Sequence, residues 1–409
     1  MESSRSKNQR NQPPGGAEPI FPNLPEEIIV EIFSRLPAKS LGRFRCVCKL
    51  WLSIISSAQF AKTHLELALQ NKTLYSERQR LILSSHSLYS VDGEVVGCGY
   101  GDRIVAVELE HPLKADPTLS DSKDYYFKVS EDEDDNPVMV RVDVLPSTNW
   151  FEILGSCNGL VCIGMDEGTF FLFNPTTRKF KRIPTTEESL PGSPLGSVVG
   201  NAHGFGFDSV SDDYKLVRID VDVILVYSLR TDSWRVVGNF PYEHYLIDSG
   251  VFLNGAIHWV VSIEEEERGK SVVIVFDLAD EIFREMPAPD DADMGSDIVM
   301  GILNGCLCIL HCRNNMHDYF WMMRDYGMDD SWTKVNISFP YICMKPLYMG
   351  KNGESLLLVD GELLSYNFEK DRYRELEVHG IPSGVGFEAD TYLESLVSPV
   401  DYGDKRLQN

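Results

Sequence analysis

The sequence lacks the long apolar run of a membrane-spanning helix. Hydrophobic residues make up 43% of its 409 residues, yet no window approaches the roughly 20 consecutive apolar residues that a span requires. Residues 1–7 are polar and contain no apolar signal core. The nine cysteines, an odd number scattered through apolar segments, do not suggest a disulfide framework. We therefore expect a protein of the cytoplasm, the nucleus or both.

Positive charge is also scarce, since 38 Lys and Arg stand against 62 Asp and Glu. Residues 1–60 hold 8 basic and 5 acidic side chains, which leaves 30 basic and 57 acidic ones for residues 61–409. An acidic body repels phosphate groups, so we expect neither nucleic acid nor a membrane as a partner. A basic stretch does occur, at Lys39, Arg43, Arg45 and Lys49. It indicates an acidic protein partner or simply a solvated helix face.

The sequence patterns of catalysis are missing. There is no serine nucleophile elbow, phosphate-binding loop or dinucleotide fingerprint. One cluster has the chemistry of metal ligands, namely Cys306, Cys308, His311, Cys312 and His317. It lacks the loop of a CxxC knuckle, and cysteine is common in buried strands, so we interpret it as core. His258, beside Trp259, is interpreted as a packing residue. We predict no catalytic residue, no metal and no cofactor.

Apolar periodicity predicts helices from about residue 22 to 70. Asn23 and Pro25 suit a helix start, and Pro37 ends the first helix. Between them the apolar side chains recur every four residues, at Ile28, Ile32 and Leu36. Ser40 is predicted to cap a second helix, whose apolar residues are Leu41, Phe44, Cys48 and Trp51. A further helix is predicted through Phe60, His64 and Leu67.

These helices carry more apolar surface than they can bury. A module of roughly 45 residues is too small to enclose so many large side chains in its own core. Part of its surface must therefore meet another protein or the neighbouring domain. Packing on the neighbouring domain alone is the alternative interpretation.

From residue 81 onwards, short apolar runs alternate with turn residues at a regular interval. The turn sequence Asn-Gly stands at residues 158–159, 254–255, 304–305 and 352–353, and Gly206 occupies the missing midpoint. Aromatic residues seven apart flank a second turn, at Phe173/Phe180, Tyr227/Trp234, Phe276/Phe283 and Tyr366/Tyr373. Trp321 and Trp332 are the same unit with four extra residues.

A period of about 48 residues with four short strands is typical of a kelch-like β-propeller. Five blades are visible between about residues 147 and 379. A sixth is predicted to combine residues 81–145 with the C-terminal run 391–397, so that strands from both ends close the ring. Seven blades, or a β-sandwich, are the alternatives. The overall fold class is α+β multidomain: a small all-α helical module followed by an all-β propeller.

The helical segment resembles an F-box. The resemblance lies in Leu24-Pro25-Glu26-Glu27, Ile32-Phe33-Ser34-Arg35-Leu36-Pro37, Leu41, Val47-Cys48-Lys49 and Trp51. It implies docking onto the Skp-family adaptor of a cullin-RING ubiquitin ligase. The residues that it assigns to docking or to the module core are Leu24, Pro25, Ile28, Ile32, Leu36, Pro37, Leu41, Val47 and Trp51. The sequence does not divide these two roles.

The β domain resembles the F-box-associated domain of plant F-box proteins. The sequence motifs that carry this resemblance lie at residues 155–160, 173–177, 204–208 with 213–217, 255–259, and 321–327 leading to 331–334. In that family the domain selects substrates. Members include regulators of immune-receptor turnover and pollen self-incompatibility determinants, and these motifs do not separate the branches.

Together these observations predict a non-catalytic substrate receptor of an SCF-type ubiquitin ligase. The predicted organisation is a disordered tail at 1–21, the F-box module at 22–70, a linker at 71–80, the propeller at 81–402 and a tail at 403–409. The target protein is unknown. Acidic runs at 131–135, 264–267 and 290–291 are predicted to be solvated loops or to attract a basic substrate. A propeller enzyme and a non-degradative adaptor are the competing functions.

Overall fold

A computed structural model describes the backbone of residues 24–91, 103–110, 125–131, 137–143, 151–165, 169–190, 201–220, 223–242, 249–263, 270–286, 288–289, 298–349, 353–382 and 386–402. The predicted tails, Asn23 and the acidic runs at 264–267 and 290–291 lie outside the described residues, as does most of the run at 131–135. Within the described ranges, no helix combines the length and the apolar character needed to cross a bilayer.

Five helices form the N-terminal module: α1 (Glu26–Ser34), α2 (Ala38–Phe44), α3 (Lys49–Ser56), α4 (Ala58–Gln70) and α5 (Lys72–Arg78). The prediction of one helix from Ser40 through Trp51 is wrong. Helix α2 already begins after Pro37, and extended backbone at Cys48 separates it from α3. The apolar spacing continues across this break because Phe44 and Trp51 both pack against Phe33.

Residues 71–80 are more ordered than the predicted linker. Asn71 ends α4 and caps α5, its side chain accepting hydrogen bonds from the backbone N–H groups of Thr73 and Leu74. After α5 the first strand begins at once. The structure therefore continues in regular elements from the module into the β domain.

The strands follow in chain order. The first twelve are β1 (Gln79–Ser84), β2 (Leu88–Val91), β3 (Arg103–Glu108), β4 (Tyr125–Glu131), β5 (Pro137–Asp143), β6 (Glu152–Cys157), β7 (Leu160–Met165), β8 (Thr169–Asn174), β9 (Lys179–Arg182), β10 (Asn201–Asp208), β11 (Asp213–Asp220) and β12 (Val223–Ser228). A short helix, α6 (Thr186–Ser189), precedes β10.

The remaining strands are β13 (Ser233–Asn239), β14 (Val251–Leu253), β15 (Ala256–Ile263), β16 (Lys270–Asp277), β17 (Phe283–Met286), β18 (Ile298–Leu303), β19 (Cys306–Met323), β20 (Trp332–Met349), β21 (Glu354–Val359), β22 (Glu362–Asn367), β23 (Arg372–His379) and β24 (Glu388–Leu393). Strands β4 and β5 pair as an isolated hairpin between β3 and β6.

Three blades are separate four-stranded antiparallel sheets. Blade 1 is β6–β9, blade 2 is β10–β13 and blade 3 is β14–β17. The other strands form one 10-stranded sheet in the order β18-β19-β20-β21-β22-β23-β3-β2-β1-β24.

The long strand β19 bends back on itself and supplies two neighbouring strands of one blade, while the long strand β20 is shared between two blades. The rings of His311 and His317 stack with centroids 3.7 Å apart, whereas six residues of extended chain span about 20 Å. The backbone must therefore fold back between them. Blade 4 is then β18, both arms of β19 and the start of β20, and blade 5 is the end of β20 with β21–β23. Blade 6 is β24 with β1–β3.

The six blades close into a ring. Their innermost strands contact one another in the order β24, β6, β10, β14, β18, β20 and back to β24. In blade 6 the innermost strand comes from the C-terminal end, and β1 pairs with it from Gln79 to Ser84. The prediction of a β-propeller closed by strands from both ends is confirmed, and its described strands account for six blades rather than seven.

Three of the four predicted Asn-Gly turns are confirmed, and the fourth, at 352–353, includes Asn352, which lies outside the described residues. The Asn-Gly pairs at 158–159, 254–255 and 304–305 have positive φ at both residues, as a type I′ hairpin turn requires. Gly206 is an exception, because it lies inside β10 rather than in a turn. Glycine is needed there because a Cβ atom would meet Phe252 and Leu278 of blade 3.

The predicted aromatic pairs lie directly opposite each other on neighbouring strands. They are Phe173 and Phe180, Tyr227 and Trp234, Phe276 and Phe283, and Tyr366 and Tyr373. The fifth pair differs, since Trp332 faces Met323 and Trp321 faces Lys334. The extra residues of blade 4 therefore change the register of the pair as well as lengthening the turn.

Replacing Gly159 by alanine is expected to destabilise the protein much more than the same change at Gly255. Both glycines have φ near +80°, but an added Cβ at Gly159 would lie 2.6 Å from the carbonyl oxygen of Leu393. At Gly255 it would have open space. We expect a loss of about 3 kcal/mol at Gly159, from backbone strain plus overpacking, and about 1 kcal/mol at Gly255. Denaturant unfolding of both variants measures the difference; equal losses would contradict it.

Candidate docking surfaces

The nine residues assigned to the F-box separate into three groups by burial. Six are exposed, namely Leu24, Pro25, Ile28, Ile32, Pro37 and Val47. Leu36 and Trp51 are half-buried, and Leu41 is fully buried. The structure therefore makes the division between surface and core that the sequence leaves open.

Helix α1 has two apolar faces. Ile29 and Phe33 are buried in the module, whereas Ile28 and Ile32 are 42% and 45% exposed. Ile28 and Ile32 are four residues apart, so they lie on one side of the helix, and exposed Leu24 lies four residues before Ile28. Large apolar side chains exposed in a row are typical of a surface that a partner covers. We call Leu24, Ile28 and Ile32 the α1 stripe.

The buried face of α1 contributes Phe33 to an aromatic triad with Phe44 and Trp51. Phe33 lies 5.0 Å from Trp51 and 5.5 Å from Phe44 between ring centroids, and Phe44 and Trp51 are 5.3 Å apart. Leu41, Ile54, Ile55 and Phe60 complete this core. Leu41 and Trp51 therefore hold the module together, and they support the α1 stripe from behind.

A second exposed apolar group follows α2. Val47, Leu50 and Leu52 are all exposed, and the sequence assigned only Val47 to docking. The basic residues Lys39, Arg43, Arg45 and Lys49 are exposed as well. The pattern could have indicated Leu50 and Leu52, since they flank Trp51, but periodicity alone does not distinguish them from core residues.

Helix α4 belongs to two cores at once. Phe60 packs in the module core, whereas Leu65 and Ala68 pack in the core shared by blades 1 and 2. The segment after β24 does the same, since Leu396 packs against the module and the next residue, Val397, against the propeller. Neighbouring residues of an extended chain point in opposite directions, which allows this arrangement. The module is thereby fixed to the propeller.

A buried arginine completes the junction. The Arg78 guanidinium donates hydrogen bonds to the backbone oxygens of Ser34 (2.7 Å), His64 (2.8 Å) and Leu36 (3.3 Å). The backbone of Arg78 in turn accepts a hydrogen bond from Glu394 N, next to β24. Through its side chain and its backbone, Arg78 therefore links the end of α1, the middle of α4 and the segment after β24.

His64 is held neutral in this junction. Burial lowers its pKa from 6.5 to about 4, with a further contribution from the neighbouring Arg78 and an opposing one from the bond to Leu36. Because the Leu36 oxygen accepts a hydrogen bond (2.9 Å), Nε2 carries the proton. Nδ1 is then free to accept the hydrogen bond from Arg78, at 3.3 Å.

Acid is expected to destabilise the junction as the pH falls from 6.5 towards 4. In this window the unfolded chain binds a proton at His64 that the folded chain does not, so stability present above pH 6.5 is lost. A shift of this size corresponds to about 3 kcal/mol. Unfolding in denaturant at several pH values measures it. His64→Gln, which keeps a donor for Leu36, should show a shallower pH dependence; an unchanged dependence would contradict this assignment.

The module lies on one side of the ring. Lys62 of α4 forms an ion pair of 3.0 Å with Asp212, in the turn between β10 and β11. Asn174, at the end of β8, donates hydrogen bonds to the backbone oxygens of Ser395 and Val397. Both turns, β10–β11 and β8–β9, project on the same side of the propeller. The module thus covers this side over blades 6, 1 and 2.

The cluster of Cys306, Cys308, His311 and His317 does not have the arrangement of a metal site. His311 and His317 stack nearly parallel, at 12° between ring planes, so their nitrogen lone pairs do not converge on one point. Burial, His317 and Lys334 lower the pKa of His311 to about 4. Cys308 is fully buried. Among the residues whose side chains are described, which excludes Cys312, no group of three or more potential ligands gathers.

His258 anchors a loop from the next blade. It is fully buried and bonds to Val251 O through Nδ1, at 3.2 Å, and to the Tyr326 hydroxyl through Nε2, at 2.8 Å. Burial lowers the pKa of His258 to about 4, so the ring is neutral. Nδ1 therefore donates to the backbone, and Nε2 accepts from Tyr326. The prediction of a packing residue described only part of its role.

Comparison with known proteins gives the same two regions. The F-box domain model matches residues 21–63, and the model of the F-box associated beta propeller domain matches residues 118–393. An F-box/kelch-repeat protein of Arabidopsis thaliana is 29% identical over 393 residues, covering 93% of this chain and 96% of its own. The F-box protein CPR1 of Arabidopsis thaliana is 29% identical over 414 residues, covering 91% of this chain and 88% of its own.

Among solved structures, a chain of a nidogen/laminin complex has a TM-score of 0.44 and 9% identity, covering 77% of this chain and 99% of that one. This similarity is too low to support an argument. The propeller model alone spans more than half of the sequence. The chain belongs to the plant F-box proteins that carry a C-terminal F-box-associated β-propeller domain.

Proposed function

We propose that the chain is the substrate-recognition subunit of an SCF-type cullin-RING ubiquitin ligase. The observation that carries this proposal is the α1 stripe, an exposed apolar row on an F-box whose opposite face is fixed to the propeller. A Skp-family adaptor would cover the stripe and connect the chain to a cullin and a RING protein. The exposed basic residues after α1 favour an acidic adaptor surface.

The proposed contribution of the chain is position rather than chemistry. Ubiquitin would be transferred by an enzyme bound to the RING protein, while the propeller holds the target nearby. Such a task requires a stiff connection between the docking module and the recognition domain. The hydrogen bonds of Arg78 and the shared packing of α4 support that requirement.

We further propose that the bound target is degraded by the proteasome and that it acts in plant immune regulation, in the cytoplasm or nucleus. The proposal of an immune role rests on the family resemblance. The same family includes pollen self-incompatibility determinants, and a non-degradative adaptor is the alternative function. Target abundance with and without a proteasome inhibitor distinguishes degradation from simple binding.

Co-purification with a Skp-family adaptor tests the proposed function. The full chain and the adaptor are expected to form a stable complex that further assembles with cullin and RING protein and supports ubiquitin transfer. Failure of the wild-type chain to bind any Skp-family adaptor would overturn the proposal.

A further inference from the structure

The turn after β19 in blade 4 exposes two large apolar side chains. Tyr326 is 42% and Met328 is 56% exposed. The turn occupies residues 324–331 and holds the extra residues of the Trp321/Trp332 unit. We call it the blade 4 turn. Like the β8–β9 turn, it joins the two outer strands of its blade, so it projects on the same side of the ring as the helical module.

Internal hydrogen bonds hold the blade 4 turn in one shape. Ser331 Oγ lies 2.8 Å from Asp325 O and 2.7 Å from Met328 O. The backbone N–H of Met328 donates to Asp325 O, and that of Arg324 donates to Ser331 O. A preformed turn loses little conformational entropy when it binds a partner.

Tyr326 is fixed from outside the turn as well. Its hydroxyl donates to the buried His258 of blade 3, and the two rings meet edge to face at 5.6 Å. Burial raises the pKa of Tyr326, and the nearby Asp277 raises it further. The hydroxyl is thus neutral and occupied, while part of the ring remains exposed. A rigid aromatic side chain of this kind is a common binding anchor.

Acidic side chains outnumber basic ones around this apolar surface, where the basic residues are Arg324 in the turn and Arg284 of blade 3. Asp325, Asp329 and Asp330 are exposed on the turn itself. In the neighbouring turn of blade 3, Ile282 is also exposed. Its backbone oxygen accepts a hydrogen bond from the N–H of Asp277, whose carboxylate lies near Tyr326. Exposed Asp280 in that turn adds a further carboxylate, although it pairs with Arg284 at 3.0 Å.

The helical module contacts a different part of the ring. Its described contacts lie on blades 1, 2 and 6, through Leu65, Lys62 and Arg78, whereas the blade 4 turn stands across the ring. A partner at this turn could therefore bind on the module's side of the propeller while the α1 stripe is engaged.

We propose that the blade 4 turn and the neighbouring Ile282 form the target-binding surface, and that they bind a segment carrying Lys or Arg next to a large apolar side chain. The apolar residue packs on Tyr326 and Met328, and the cation faces Asp329 and Asp330. This inference rests on the proposed function as a substrate receptor and identifies the chemistry of the substrate.

Binding of defined peptide libraries tests the proposal. The full chain, mixed with a purified Skp-family adaptor, is applied to two immobilised synthetic libraries of equal length, one combining Lys and Arg with Leu and Phe, the other combining Asp and Glu with Leu and Phe. We expect the basic library to retain the chain at least about tenfold better. Met328→Asp should lower this retention by about tenfold. Val236→Asp, with 51% exposure on β13, is the matched control and should change little.

Charge reversal separates a specific surface from general attraction to an acidic protein. Asp329→Lys with Asp330→Lys should abolish the preference for the basic library. Asp318→Lys with Glu362→Lys makes the same change in charge at exposed positions on the opposite side of the ring, and it should preserve the preference. Equal retention of both libraries, or equal effects of the two charge reversals, would overturn the proposal.

The adaptor is quantified in the same samples. If basic peptides retain the wild-type chain but it binds no Skp-family adaptor, the proposed ligase function is overturned while the inference about the blade 4 turn stands. A chain that binds the adaptor but shows no peptide preference would overturn only the inference about the blade 4 turn.

Discussion

Replacing Ile28 and Ile32 by aspartate is expected to abolish binding to a Skp-family adaptor while the fold is retained. Both side chains are exposed in the free chain, so their replacement removes no core contact. In the proposed complex they would be desolvated anchors, each contributing about 2 kcal/mol. Losing both corresponds to roughly a thousandfold weaker binding. Titration of purified adaptor against the full chain measures the affinity, and thermal unfolding checks the fold.

Leu69→Asp supplies the control for this loss. Leu69 lies on α4 and is 46% exposed, close to the values of Ile28 and Ile32. Leu69→Asp therefore makes the same kind of apolar-to-acidic substitution as the double variant, at a similar exposure but outside the α1 stripe. Adaptor binding should be unaffected. If Leu69→Asp weakens binding as much as the double variant, or if the double variant binds normally, then α1 is not the docking surface.

The sequence predicted the architecture because both domains have strong local signals. Asn-Gly turns and cross-strand aromatic pairs such as Phe173 and Phe180 recur at a fixed interval, and each depends only on residues close in the chain. These local patterns failed at two positions. At Gly206 the requirement for glycine comes from Phe252 in the next blade, and at Trp321 a longer turn shifts the strand pairing.

The division of the F-box residues could not be predicted because periodicity does not say which face is covered. Ile28 and Ile29 are adjacent and chemically identical, yet one is exposed and the other buried. The difference is set by Phe44, Trp51 and Phe60, which pack against one side of α1 only. Apolar pattern therefore identified the surplus surface, but three-dimensional packing was needed to locate it.

Polar contacts between distant residues were missed for a related reason. Arg78 meets the backbone at Ser34, 44 positions earlier, and Tyr326 meets His258, 68 positions earlier. Neither arginine nor tyrosine stands out in its own stretch of sequence. Arg78 lies in the segment 71–80, which was predicted to be a linker because its composition is polar and it stands between two apolar domains. Its contact with Ser34 was therefore not expected.

Replacing Arg78 by alanine is expected to loosen the module from the propeller. The change removes the guanidinium hydrogen bonds to Ser34 O, His64 O and Leu36 O in a buried site. Losing these charge-assisted hydrogen bonds and the packing of the side chain is expected to cost on the order of 3–5 kcal/mol in total. Unfolding in denaturant, followed by helical circular dichroism because the long helices lie in the module, measures the loss. Limited proteolysis should show faster cleavage between α5 and β1.

Lys62→Ala is the control, since Lys62 also joins the module to the propeller but does so at the surface. Its ion pair with Asp212 is about half exposed on both sides, and such pairs contribute less than about 1 kcal/mol. A large loss for Arg78→Ala beside a small one for Lys62→Ala would assign the stiffness of the junction to buried hydrogen bonds. Equal losses would instead assign the stiffness of the junction to surface charge. The module would then be held less firmly on the propeller at high salt, and the distance between adaptor and target would vary more. With buried hydrogen bonds in control, that distance should be insensitive to salt.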